Sequence, residues 1–209
     1  MPRTPALPHA GGMATQGREW AEAQREGRVA ALRELVVAEL GAEGTLTLEI
    51  GCGHGHWLTA YAAAHPDERC VGIDLLGERL RKCEAKRAKR GLTNATFLKA
   101  EASEFLDALP PGLRLTRIFI LYPDPWPKVR QNKNRFLQAE NLTRLAKSAD
   151  PGCRLAFRTD HADYHAWAGE HLAAHPDWAV ETGGAWPFEA PTFFQDLLRE
   201  RRDWQARRR

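Results

Sequence analysis

No stretch of this 209-residue chain reaches the roughly 18 consecutive apolar residues that a membrane-crossing helix needs. The N-terminus lacks the charged start, apolar middle and small-residue cleavage site of a secretory signal, so the expectation is a cytoplasmic protein with no membrane partner. Cysteine is scarce: Cys52, Cys70, Cys83 and Cys153 form no C-x-x-C and no Cys/His pairing. That argues against a disulfide framework and against a zinc site, so the thiols read as reduced and structural and no metal is expected. There is no internal repeat and no composition break that marks a second domain. Net charge is only +3, too mild to specify a polyanionic partner by itself, so the placement of the cations matters more than their sum.

What the chain does have is an ordinary globular composition, 43% hydrophobic and 27% charged, at a length that suits one well-buried domain. Residues 1–17, rich in proline and small residues and carrying the Gly11-Gly12 pair, read as a flexible tail, which leaves 18–209 as the domain. Val29, Leu32, Leu35, Val36 and Leu40 are spaced for one face of a helix over 18–40. Strands then alternate with helices. Strands are expected at 46–50, 70–73, 95–98, 115–121 and 154–157, and helices at 57–64, 77–90, 103–109, 135–147 and 162–173. That rhythm predicts an α/β fold, a mostly parallel central sheet with helices on both faces.

The first strand runs into Glu49-Ile50-Gly51-Cys52-Gly53-His54-Gly55. Alternate glycines let the backbone turn tightly and approach a ligand, and the next helix offers its free N–H groups to a negative end. The spacing differs from the dinucleotide pattern because position 56 is His, and no second glycine loop follows. Asp74 ends the second strand, where ribose hydroxyls would lie if Gly51 and Gly53 hold the rest of a nucleotide-like ligand. His54 and His56, two apart on a loop with no partner cluster, read as loop residues.

A second feature follows the fourth strand. Tyr122-Pro123-Asp124-Pro125-Trp126-Pro127-Lys128 is an acidic turn in which each proline fixes its own φ and pushes the residue before it toward extended backbone. Lys128, Arg130, Lys133 and Arg135 crowd in directly behind it, a placement suited to nucleic-acid phosphate beside the carboxylate. A further run, Arg79 to Arg90, places seven cations in twelve positions, but Glu78 and Glu84 partly balance it and it reads as a solvated helix face. A third, Arg199 to Arg209, reads equally as an RNA grip or as a solubilising tail.

The set Glu49-x-Gly51-x-Gly53-x-Gly55, Asp74, an acid at Glu101 and the Pro123-Asp124-Pro125-Trp126-Pro127-Lys128 block resembles the bacterial tRNA (guanine-N7)-methyltransferases, a family of class I S-adenosylmethionine-dependent methyltransferases. Arg158-Thr159-Asp160 with Tyr164, and Pro191-Thr192-Phe193-Phe194-Gln195, extend the likeness from about Arg18 to Thr192 and beyond. The resemblance implies a Rossmann-like fold, S-adenosylmethionine as methyl donor and N7 of a guanine in the tRNA variable loop as acceptor. It also implies that Glu49, Asp74, Glu101 and Asp124 contact the cofactor, and that Lys128, Asp160 and the segment Thr192, Phe193, Phe194 and Gln195 contact the target nucleotide. The family's pattern ends in an acid where this chain has Gln195, which offers one acceptor and two donors instead of two acceptors. The chain ends soon afterwards, so a closing strand is expected to be short, over 203–207, or absent.

Guanine N7 carries a free lone pair, so methyl transfer there needs no general base, only orientation and negative charge where the purine becomes positive. Asp124 is the expected catalytic positioner. A methyltransferase acting on another RNA base, on DNA amino groups or on a small molecule, and a non-catalytic RNA-binding module, stay open at this point.

Overall fold

The structure, a computed structural model, describes residues 10–190 and 200–209. Its strands are β1 (Glu43–Ile50), β2 (Cys70–Asp74), β3 (Ala95–Lys99), β4 (Gly112–Leu121), β5 (Ala149–Thr159), β6 (Trp178–Glu181) and β7 (Arg202–Arg208). They form one sheet in the order β3-β2-β1-β4-β5-β7-β6, in which β7 runs opposite to the other six strands. The helices are α1 (Ala10–Leu40), α2 (His56–Ala64), α3 (Gly77–Lys89), α4 (Ala102–Ala108), α5 (Ala139–Ser148) and α6 (Ala162–Ala174).

Because a strand's side chains alternate between faces, β4 supplies two cores at once. Ile118 and Ile120 enter the larger one with Val36 of α1, Phe105 of α4, Leu142 of α5 and Tyr164 of α6. Phe119 and Leu121 enter the smaller one beneath Trp57 and Tyr61 of α2 and Leu80 of α3. Both faces of the parallel strands are therefore dry, which is why they read as near-continuous apolar runs.

Several elements differ from the sequence expectation: β1, β4 and β5 begin three, three and five residues earlier, at Glu43, Gly112 and Ala149. Helix α1 already begins at Ala10, so residues 10–17 of the expected tail are helical. Once the 18–40 turns exist they act as a nucleus, and Ala, Met and Gln propagate it backward past the two glycines. The helix is held to α4 by Arg25 on Asp107, by Arg28 on Glu104 at 2.6 Å, and by Arg33 donating to the Asp107 carbonyl at 2.7 Å. Helix α5 starts at Ala139 and not at 135, and a 3-10 helix, Val129–Asn134, precedes it. Strand β6 is absent from the sequence expectation, and β7 extends the expected 203–207 by one residue at each end.

Gly72 in β2 sits at the tightest point under the ligand loop: a Cβ there would stand 2.8 Å from Phe97 Cδ1, 2.9 Å from Leu58 Cδ2 and 3.0 Å from Cys52 Cβ. Gly72→Ala is expected to lower the free energy of unfolding by about 1–3 kcal/mol through overpacking. An unchanged urea midpoint would show that this region of the core has room to relax.

Candidate active site at the carboxyl edge of the sheet

A cavity of about 490 Å³ opens where β1, β2 and β4 end. Strand order reverses between β1 and β4, and such a switch point leaves a crevice outside the carboxyl ends of the strands. The chamber has the size of a nucleoside-like ligand site. Glu49 and Asp74 line one side of it, and Asp124, Trp126 and Asp160 another, so the two sequence features lie in one cavity.

The glycine loop is built by left-handed backbone: Gly51, Gly53 and Gly55 have φ of 73°, 55° and 68°. Gly55 is also sterically required, because a Cβ there would lie 2.8 Å from Cys83 Sγ. Asp74 is buried at the end of β2, accepting from Gly53 N at 3.1 Å and Leu76 N at 2.8 Å, with Arg79 Nη1 at 3.4 Å. It therefore sets the loop's shape as well as facing the cavity. Glu101 has a different place. It caps α4, its Oε2 accepting from Glu104 N at 2.9 Å and from the Ser103 hydroxyl at 2.5 Å, and it does not line the cavity.

Glu49 is 3% exposed, and its Oε2 has no hydrogen-bond partner. Burial, with Cys83 and Asp74 nearby, pushes its carboxyl well above the ordinary carboxylate value. An acid held this way, in a cavity wall, calls for a cationic or proton-donating ligand. His54 and His56 also line the cavity; burial and the cations of α3 lower both below the ordinary imidazole value.

The acidic turn departs from extended backbone at two points. Tyr122 and Trp126 have φ of 49° and 45°, the two non-glycine residues at positive φ among the described residues. The prolines exclude the right-handed helical region for the residue before them, and here the chain takes left-handed values in preference to a strand-like path. Such strain persists only where the surroundings fix it. Tyr122 N donates to the Arg158 carbonyl at 2.7 Å, and Arg135 Nε donates to the Pro125 carbonyl at 2.9 Å. Asp124, between the two anchors, is exposed at the cavity wall.

Arg135 is thus not the phosphate contact its spacing suggested. It is 3% exposed, its guanidinium lies 5.1 Å from the Tyr164 ring centroid and 5.5 Å from that of Trp167, and it also donates to the Asp163 carbonyl at 3.3 Å. Tyr164 completes the anchor: its hydroxyl accepts from Phe136 N at 2.9 Å and Leu137 N at 3.3 Å, which draws 135–137 away from helical bonding. Lys128, Arg130 and Lys133 do point to solvent, and their side chains have no hydrogen bond or ion pair among the described residues. Thr192, Phe193, Phe194, Gln195 and Arg199 lie outside the described residues.

Sequence reasoning missed the structural role of Arg158. It is buried, donates to Glu189 at 3.0 and 2.9 Å and to Asp203 at 2.6 and 3.0 Å, and stacks 3.9 Å over Trp186. Burial opposes its charge, but the two carboxylates prevail and hold it above the ordinary arginine value, while Glu189 is held below its own. The terminal arginines are also structural: Arg207 pairs with Glu181 at 2.7 Å and Arg208 with Asp177 at 3.2 Å. Only the partnering acids, distant in sequence, would have revealed these roles. Among the described residues no cluster could hold a metal, and no helix is long and apolar enough to cross a membrane.

Residues 43–203 match the model of a family described as putative methyltransferases. The chain is similar to a tRNA (guanine-N(7)-)-methyltransferase of Rhodopseudomonas palustris, 37% identical over 149 residues, 69% of this chain and 59% of that one. It is also similar to one of Rhodospirillum rubrum, 33% identical over 166 residues, 78% of this chain and 64% of that one. The chain thus spans about three-fifths of the length of the curated relatives it matches. Among solved structures, NSun6 from Pyrococcus horikoshii superposes with a TM-score of 0.61 at 14% identity, over 87% of this chain and 50% of that one. The aminoglycoside resistance methyltransferase NpmB1 superposes at 0.59 and 18%, over 85% and 93%. At such identities the likeness is one of fold.

The state of Glu49 has a consequence for pH. Its folded-state affinity for a proton exceeds that of the unfolded chain, so the folded form binds more protons above the ordinary value of 4.5, and stability falls as pH rises from there. Without ligand, Glu49→Gln is expected to match the unaltered protein near that lower limit and to exceed it in urea midpoint at pH 8. A variant less stable at pH 8 would mean that the carboxylate is satisfied after all.

Proposed function

Because the chain belongs to this family of putative methyltransferases, we propose that it transfers a methyl group from S-adenosylmethionine to N7 of a guanine in tRNA, with residues 18–209 as the methyltransferase domain. The observation that carries the proposal is the joining of a glycine loop, two buried acids and the acidic proline turn in one cavity, with solvent-facing cations following that turn. The relatives' names point to the same substrate.

The cofactor's fit rests on Glu49 and the loop. An unpartnered buried carboxylate suits a ligand bearing positive charge, and three left-handed glycines give it close access to backbone. S-adenosylmethionine would supply an activated methyl group on a cationic sulfur. In this reading Glu49, Gly51, Gly53 and Asp74 hold it, while Glu101, which caps α4 and does not line the cavity, shapes the loop that follows β3. Asp124 orients the guanine and places negative charge beside a purine that gains positive charge, without removing a proton. Asp160, on the same cavity, joins it on the substrate side with Thr192, Phe193, Phe194 and Gln195. Lys128, Arg130 and Lys133 hold phosphate outside, and a single-stranded or splayed nucleotide suits such a site because N7 is inaccessible in the deep, narrow groove of an RNA helix.

Tritium from labelled S-adenosylmethionine is expected to enter unmodified tRNA and to be recovered as N7-methylguanosine. Asp124→Asn is expected to reduce kcat by about 10²–10³ with an unchanged urea midpoint. Cofactor binding without incorporation would refute the enzyme, and full activity in the variant would refute Asp124's role.

The inward and outward cations separate cleanly. Lys128→Ala with Arg130→Ala is expected to weaken tRNA binding and to reduce its slope against log salt by about 0.7–0.9 for each phosphate that is no longer neutralised. Arg135→Ala is expected instead to cost about 1–3 kcal/mol of stability by leaving the Pro125 carbonyl without its donor. The reverse pattern would return Arg135 to the RNA and remove the 3-10 helix from it.

A further inference from the structure

The α3 cations, a solvated face by their sequence, have a definite shape in the structure. Arg79, Lys82, Lys86 and Arg90 recur at helical spacing, so they form a stripe about 16 Å long at 1.5 Å per residue. Beside its upper end lies a second hollow of about 340 Å³, lined by His54, Leu75, Leu76, Arg79, Lys82 and Lys99 together with Gly77 and Glu78. Lys99 comes from the end of β3, so two elements bring positive charge to one concavity. The hollow shares His54, Leu75 and Arg79 with the larger cavity and is therefore continuous with it.

The cations differ in commitment. Arg79 is turned toward Asp74, and Lys86 donates to the His54 carbonyl at 2.9 Å. Lys82 meets Glu78 only at 4.0 Å, with both side chains more than half exposed. The Lys99 side chain has no hydrogen bond or ion pair among the described residues. Beside them Leu75 and Leu76 are 60% and 52% exposed, adjacent apolar side chains with Arg79, Lys82 and Lys99 and the single acid Glu78 around them. A surface with exposed cations around a small apolar platform fits phosphates flanking a sugar or base face. After burial, Lys82, Lys86 and Arg79 lower the proton affinity of His54.

Building on the tRNA reading, we infer that the hollow formed by Leu75, Leu76, Lys82 and Lys99 is a second RNA-docking surface, which holds substrate backbone at the other end of the cavity from Lys128, Arg130 and Lys133. The target nucleotide would enter between two cationic rims, one on each side of the sheet's switch point. Its substrate class is a strand of several nucleotides, which would pass outside the cofactor held by Glu49, Gly51, Gly53 and Asp74 and meet α3 beyond it. Charge complementarity and continuity with the catalytic cavity favour RNA over a second copy of this chain.

The test compares Lys82→Glu/Lys99→Glu with the milder Lys82→Gln/Lys99→Gln, each checked for an unaltered melting curve, against Lys128→Glu. Filter binding of unmodified tRNA across a salt series does not depend on turnover. The doubly reversed variant is expected to bind tRNA about 10-fold more weakly at moderate salt, with a salt slope lower by about 1.5 for two phosphates, and the neutral variant to fall between. Affinity for S-adenosylmethionine is expected to stay within two-fold in both. Unchanged tRNA affinity and slope, while Lys128→Glu weakens binding, would overturn the second surface and leave the tRNA reading standing. Failure of the unaltered protein to bind tRNA would overturn both. Altered sedimentation with unchanged tRNA binding would assign the face to self-association and overturn the inference.

Discussion

A positive charge turned inward holds the candidate site together. The Arg135 guanidinium reaches back ten residues to the Pro125 carbonyl, lies against the Tyr164 and Trp167 rings, and so fastens the acidic turn to α6. Prolines make that turn stiff, but stiffness does not say where it points. The direction comes from this anchor and from the Tyr122 N–H on β5's Arg158 carbonyl, and between them the chain accepts two left-handed aromatic residues. Without the anchor, Asp124 would stand on a rigid segment with no fixed orientation toward the cavity.

Arg158 has the corresponding role on the neighbouring strand. Its guanidinium joins Glu189 to Asp203 across the sheet's antiparallel margin and is covered by Trp186. A buried arginine is tolerable because paired carboxylates and an aromatic face replace the water it loses. In this protein the two buried arginines, Arg135 and Arg158, are both structural.

The cofactor half follows a different rule. Asp74 is satisfied by backbone and shapes the loop, whereas Glu49, in the same wall, has an oxygen with no partner. A native core rarely leaves a buried carboxylate in that state. The apolar cores beneath supply the stability against which such a group is maintained.

The alternation of strands and helices, the glycine loop, Asp74 and the acidic turn were legible in the chain because each depends on local rules: side-chain period, left-handed glycine, the fixed φ of proline. Strand β7 was expected only through the resemblance, over 203–207 or absent, and it forms over Arg202–Arg208. Other features were not legible. The helical start at Ala10 depends on propagation from a nucleus, and β6 on pairing with β7, so neither is marked by its own residues. Arg135 sat among Lys128, Arg130 and Lys133 with nothing local to distinguish it; the rings and the carbonyl that bury it come from α6 and from the turn. Glu101 reads as one of the cavity acids and is a helix cap. Sequence by itself thus determined which residues can turn, bend and carry charge, because those properties are intrinsic to each residue. Tertiary structure alone decided which charges face water and which face inward, because burial and partnership are set by segments far apart in the chain.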